Sequence, residues 1–118
     1  MDESIEQSRW ESFLDHFAKT SQGLEARLEI LGADLGDQES AAWLPFSGMS
    51  YDPHHGSIFV MVGGITSRYP VHLTHRIDHP RSLTVHHSAE GDIQSVLVVG
   101  EDERKTLVSL RPQGPLHT

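Results

Sequence analysis

The stretch V71-H72-L73-T74-H75-R76-I77-D78-H79-P80-R81-S82-L83-T84-V85-H86-H87 decides how this chain is read. Its apolar residues recur at every second position, the period of a half-buried strand. Val71, Leu73, His75 and Ile77 share one face, and His72, Thr74 and Arg76 the other. In the second run Leu83, Val85 and His87 share a face, opposite Ser82, Thr84 and His86. Asp78-His79-Pro80-Arg81 reads as the connection between two strands. The stretch also holds five of the nine histidines. Histidine ligates metals, moves protons and changes charge near neutral pH, so its face assignment matters.

His72 and His75 fall on opposite faces and cannot share a metal unless a bulge intervenes. The H-x-x-H spacing belongs to helices, and Leu73 stands where H-E-x-x-H needs Glu. If the two strands pair, a three-residue loop places His72 opposite His86, and a five-residue loop places Thr74 there. In either register His72 and His86 share the polar face within cross-strand reach. They form the best candidate for a shared ligand site. Zinc catalysis needs three protein ligands and an open position, so a third would have to come from Asp52, His54 or His55. The plainer reading is a row of solvent-facing histidines. His75 lies with Leu73 and Ile77 and reads as a core histidine satisfied by backbone or a carboxylate; a ligand or proton-relay role is the alternative. The candidate ligand-binding residues are therefore His72, His75 and His86. No catalytic residue, metal or cofactor is assigned.

Outward from this stretch the period-two pattern continues. Ile58 to Val62 and Ile93 to Val99 read as strands, each with apolar residues on both faces. Lys105 to Leu110 closes the sheet. Upstream, Leu24, Ala26, Leu28 and Ile30 alternate with Glu25, Arg27 and Glu29. Gly32 to Ser40 is rich in Gly and Asp and reads as a mobile loop. Trp43, Leu44 and Phe46 flank Pro45 and read as a short edge segment, since Pro cannot donate to a ladder. D52-P53-H54-H55-G56 is a turn by composition. The first twenty or so residues break the period: Trp10, Phe13, Leu14 and Phe17 form one helical stripe. Ser8 and Glu11 have capping-box spacing, and Ser4 or Asp2 could start the helix a turn earlier. Trp10, Phe13, Phe17, Trp43 and Phe46 read as helix-on-sheet core.

The spacing thus predicts an α+β fold: an N-terminal helix packed on a curved, mainly antiparallel sheet of about six strands. Short connections imply antiparallel neighbours. The chain reads as one domain, 1–118, with the helix in 1–22, the sheet in 23–111 and a flexible tail, including His117, in 112–118. A chain of 118 residues buries roughly 65% of its unfolded surface, enough for one core. One helix covers one face of three or four strands. The two-sided strands then require a half-barrel or a second subunit, and a homodimer is the expectation.

Composition narrows the function classes. There is no cysteine, hence no thiolate chemistry. The net charge of −8 offers no basic footprint for a phosphate backbone. Protonating all nine histidines takes it to −8 + 9 = +1, so solubility should vary below about pH 6. The N-terminus has no apolar h-region, and Ile58–Val62 falls far short of the ~20 residues that span a bilayer. There is no G-x-S-x-G elbow, and Gly63-Gly64 is neither a P-loop nor a Rossmann fingerprint.

The order of landmarks resembles the small bacterial and archaeal proteins grouped as domain of unknown function 5335. The matching residues are W10-E-S-F13-L14-D15-H-F17, Gly23-Leu24, P45-F46-S-G48-M-S-Y-D52, H75-R-I77-D-H-P80 and T106-L107. Pro45-Phe46 stands where such proteins usually carry Pro-Leu. Of the histidines, only His75 falls on a landmark; those at 54, 55, 72, 79, 86 and 87 look particular to this chain. The resemblance implies the architecture and no particular activity. The expected function is a non-enzymatic, soluble, cytoplasmic domain acting through protein contacts, as a homo-oligomer or an accessory subunit, without nucleic acid or membrane. The rival is a small-molecule or metal-binding protein using the histidine face.

Overall fold

The computed structural model describes residues 2–32, 36–63 and 72–112, backbone only for 36–42 and 72. The expected tail beyond Pro112 and the loop centre at 33–35 lie outside these residues, as do Gly64, Val71 and His117. The first element is a strand, β1 (Asp2–Ile5), then a 3₁₀ turn (Gln7–Arg9) and helix α1 (Trp10–Thr20). Seven strands follow: β2 (Leu24–Gly32), β3 (Gly36–Asp52), β4 (Ser57–Gly63), β5 (His72–Asp78), β6 (Pro80–His87), β7 (Ile93–Gly100) and β8 (Lys105–Pro112). They form one antiparallel sheet in the order β1-β6-β7-β8-β2-β3-β4-β5.

The α+β class holds, but the sheet has eight strands rather than about six, and it is not closed. Both extra pieces were hidden by composition. Asp2–Ser4 shows no apolar alternation, yet it pairs with Thr84–His86 as an edge strand. The helix therefore starts at Trp10, and its N-cap, Arg9, makes no side-chain capping bond. Gly36–Ser40, read as loop, is the first part of β3, paired with β2 up to Gly32↔Gly36. The segment around Pro45 is interior, with β2 on one side and β4 on the other. Pro45 is tolerated there because β3 is irregular. Residues 42–43 oppose Arg27 alone, and Ser47 is an extra residue against β4. Bulges are where an interior strand can accept Pro.

The larger correction concerns the histidine-bearing strands. β5 pairs with β4, and β6 pairs with β1 and β7. The two are consecutive in the chain but are not neighbours in the sheet. One residue, His79, joins them, and the commonest tight hairpins need a loop of about two. The chain turns a corner instead of reversing. His79 has φ 52°, in the left-handed region. Its N–H donates to Gly56 O at 2.9 Å, and its C=O accepts from Glu101 N at 3.0 Å. The corner is thus fastened to the β3–β4 turn and to the β7–β8 turn. β3, long and bulged, spans the other side of the curl.

The concave face holds the core. Leu14, Phe17, Trp10, Ala26, Leu28, Phe46, Ile58, Val60, Leu83, Val85, Val96, Val98 and Val108 form one buried cluster. The helical stripe supplies its lid. Phe17 lies 5.4 Å from Phe46 between ring centroids, and Trp10 meets Tyr51 edge-on at 5.2 Å. The Trp10 indole N–H donates to Ile5 O at 2.8 Å, tying α1 to β1. Phe13 is half-buried against the same cluster. The helix ends where Gly23 takes φ 87°, a conformation open to glycine at no steric cost.

A β-branched side chain is a poor occupant of left-handed backbone, so the corner can be tested directly. His79→Val is expected to destabilise the fold by about 1–3 kcal/mol in urea titrations, and His79→Gly to cost less than about 0.5 kcal/mol. Equal stability of the two variants would contradict the corner geometry.

Candidate functional site

The histidines are dispersed. His72 is on β5 opposite Gly63, while His86 is on β6 opposite Asp2 and Ser95. They are not cross-strand partners, because the corner at His79 sends their strands to opposite ends of the sheet order. The His72 side chain lies outside the described residues. His86 Nδ1 is 2.6 Å from Asp2 Oδ1, and His87 Nε2 is 3.2 Å from Glu3 Oε1. Both contacts bind the edge strand β1 to β6. His55 Nδ1 is 2.7 Å from Asp52 Oδ2, while Asp52 Oδ1 accepts the His54 N–H at 2.9 Å. Those residues close the β3–β4 turn. Among the described residues, no group of three or more His, Asp and Glu side chains is placed to hold a metal ion.

His75 is on the core face of β5, paired with Val60, and half-buried. Burial, and then the Arg104 charge, hold its pKa below the ordinary imidazole range. Several carboxyls are held low by partners. Asp2 is lowered by its bond to His86, Asp52 by His55, and Glu103 by Arg81. Asp78 is lowered by Ser57 Oγ at 2.8 Å and then by Arg76 Nε at 2.6 Å.

The feature that the histidines had masked is the outer face of the sheet. Cross-strand register aligns Asp2, His86, Ser95, Ser109 and Arg27 in one outward row. The next row is Ser4, Thr84, Leu97, Leu107 and Glu29. Leu97 and Leu107 are direct partners, with Val99 and Leu31 one step along. All four are half-buried and stand outside the core cluster. Asp2, Thr84, His86, Ser95, Leu97 and Leu107 line an open hollow on this face. At the β3 side of the same face is Trp43. Its backbone sits in the bulge with φ 51°, and its ring lies 4.1 Å from the Arg111 guanidinium. Arg111 Nε in turn donates to Glu25 at 2.9 Å. The expected core placement of Trp43 does not hold: its neighbour Leu44 pairs with the core residue Ala26, so the Trp43 ring falls on the opposite, outer face beside Arg111.

This geometry defines a class: an α+β domain with one helix inside a curled, open antiparallel sheet and an apolar strip on the sheet's other face. The chain belongs to the family of unknown function DUF5335, whose model matches residues 1–117. An uncharacterized protein of Aquifex aeolicus (strain VF5) is 27% identical over 113 residues, covering 96% of this chain and 95% of its own. No solved structure matches the chain.

The low His75 pKa has a definite consequence for stability. The unfolded chain binds that proton more readily than the folded one. The stability from keeping the ring neutral is complete above about pH 6.5 and is lost as pH falls through the folded-state value. The lowered carboxyls act later, below about pH 4. In urea titrations His75→Gln should flatten the stability profile between about pH 7 and 5 and leave the acid limb intact. An unchanged slope in that window would assign the loss to other groups.

Proposed function

We propose that this chain is a non-enzymatic interaction domain that self-associates through the outer face of its sheet. The observation that carries the reading is the Leu97–Leu107 pair, extended by Val99 and Leu31, on the face turned away from α1. Apolar side chains clustered on a polar-rimmed sheet face are typical of association surfaces. A partner that excludes water from them gains roughly 25 cal/mol for each Å² of apolar surface buried. The acidic balance of −8 argues against a nucleic-acid partner. Among the described residues no helix is long and apolar enough to cross a membrane. Cytoplasmic residence is part of the same proposal and draws on the absence of cysteine.

A second reading, ligand binding by histidine, draws on one observation: His86 lines the outer hollow beside Asp2. Native mass spectrometry of protein purified without chelator tests it. Added mass that disappears in His86→Gln would favour it, and a bare chain would remove it.

Self-association is read by sedimentation velocity across a hundredfold range of concentration. The wild-type chain is expected to be dimeric at the upper end. Leu107→Lys, which places an ammonium directly opposite Glu29, is expected to be a folded monomer. A wild-type chain that stays monomeric throughout would contradict the reading.

A further inference from the structure

Three of the four residues of β1 are held on the sheet without burying a side chain. We propose that β1 is a pH-gated strap, closed while His86 and His87 are protonated and opening from Asp2 to Ser4 as they lose that charge. The strap does not depend on self-association. Among the described residues β1 pairs with β6 alone, from Asp2↔His86 to Ile5↔Leu83. Asp2, Glu3 and Ser4 are exposed, and Ile5 is buried. The Trp10 indole N–H holds the Ile5 carbonyl at 2.8 Å. Ile5 is therefore the pivot, and the three residues before it have no apolar anchor. Segments with few buried apolar contacts lie at the low end of local stability.

Beyond the backbone ladder, two imidazole–carboxylate contacts tie those residues down. His86 Nδ1 lies 2.6 Å from Asp2 Oδ1, and His87 Nε2 lies 3.2 Å from Glu3 Oε1. His87 Nδ1 is also 3.2 Å from Gly91 O, in the β6–β7 turn. An ionised carboxylate and a backbone carbonyl only accept hydrogen bonds, and a neutral imidazole carries one N–H. His87 can therefore donate to both partners only as imidazolium. On losing a proton it gives up either Glu3 or the turn. His86 keeps its Nδ1–H bond to Asp2 when neutral but loses the attraction between opposite charges. Histidine is the side chain that changes charge between about pH 5 and 8, so both losses come near neutrality.

The groups around the two rings are mostly uncharged or acidic. On β7, Ser95 is the partner of His86 and Ile93 the partner of His87. The turn beside His87 carries Glu90 and Asp92. Arg27 shares the row of His86 but stands three strands away. The amino-terminal charge acts on Asp2, after the bond from His86. Opening has two consequences. It frees the edge of β6, a backbone ladder of the kind that accepts a further strand. It also takes Asp2 away from the wall of the outer hollow. The strap thus couples pH to access at the β1 end of the sheet.

Hydrogen exchange of the full chain tests the strap, with protection factors read at about pH 5.5 and about pH 7.5, on either side of the imidazole titration. Amides of β7 and β8 serve as the reference. An exposed ion pair shifts an equilibrium by roughly 1.5–5-fold, so two give about 2–25-fold. Protection of the Asp2–Ile5 amides is expected to fall by that factor from the lower to the higher pH, while the reference does not fall. His86→Gln combined with His87→Gln is expected to leave β1 weakly protected at both values. Asp2→Asn combined with Glu3→Gln, which keeps both imidazoles, is expected to do the same. All four side chains are on the surface, and an unchanged reference shows that the variants fold. Equal protection of β1 at the two pH values in the wild-type chain would overturn the proposal. So would a fall that persists in either double variant.

Discussion

One amphipathic helix has to serve an eight-stranded sheet, and it can cover only one face. That constraint shapes the rest of the molecule. The sheet answers it by curling, so that Phe17, Leu14 and Trp10 reach apolar side chains from strands at both ends of the order, from Leu83 to Ile58. Curling needs places where strands bend. The bulges of β3 supply one, and the left-handed corner at His79 supplies the other. Two hydrogen bonds from the backbone of His79 to separate turns fix that corner, so the bend is held by neighbours as well as by its own dihedral. The outer face then remains apolar along Leu97 and Leu107, with no helix among the described residues on that side.

Much of this was legible in the sequence. The stripe Trp10, Phe13, Leu14, Phe17 has a period that only a helix satisfies, and the structure buries Trp10, Leu14 and Phe17 and half-buries Phe13. The alternation in β2 and the two-sided runs in β4 and β7 gave strands in the right places. What failed shares a physical cause. Asp2–Ser4 and Gly36–Ser40 form strands because neighbours present them with a backbone ladder, and their own side chains carry no signal of it. Edge and irregular strands are stabilised by context rather than propensity.

The candidate site failed for a topological reason. Placing His72 beside His86 assumed that a short polar connection reverses the chain. Asp78-His79-Pro80-Arg81 has the composition of a turn, but its single unpaired residue redirects the strand instead. Local sequence does not distinguish the two cases, because Pro80 and a left-handed His79 suit either. Trp43 is a different case. Counted from its neighbour Leu44, which pairs with the core residue Ala26, alternation alone places Trp43 on the outer face, and only its bulk suggests a core position.

The proposed burial of the outer strip between copies can be read by methyl NMR. Leu97 and Leu107 methyl relaxation by a soluble paramagnetic agent would be measured at low and high protein concentration, with the buried methyls of Leu14 as reference. Both outer leucines are expected to lose most of their enhancement at high concentration while Leu14 stays protected throughout. Leu97 and Leu107 methyls equally accessible at both concentrations would contradict it.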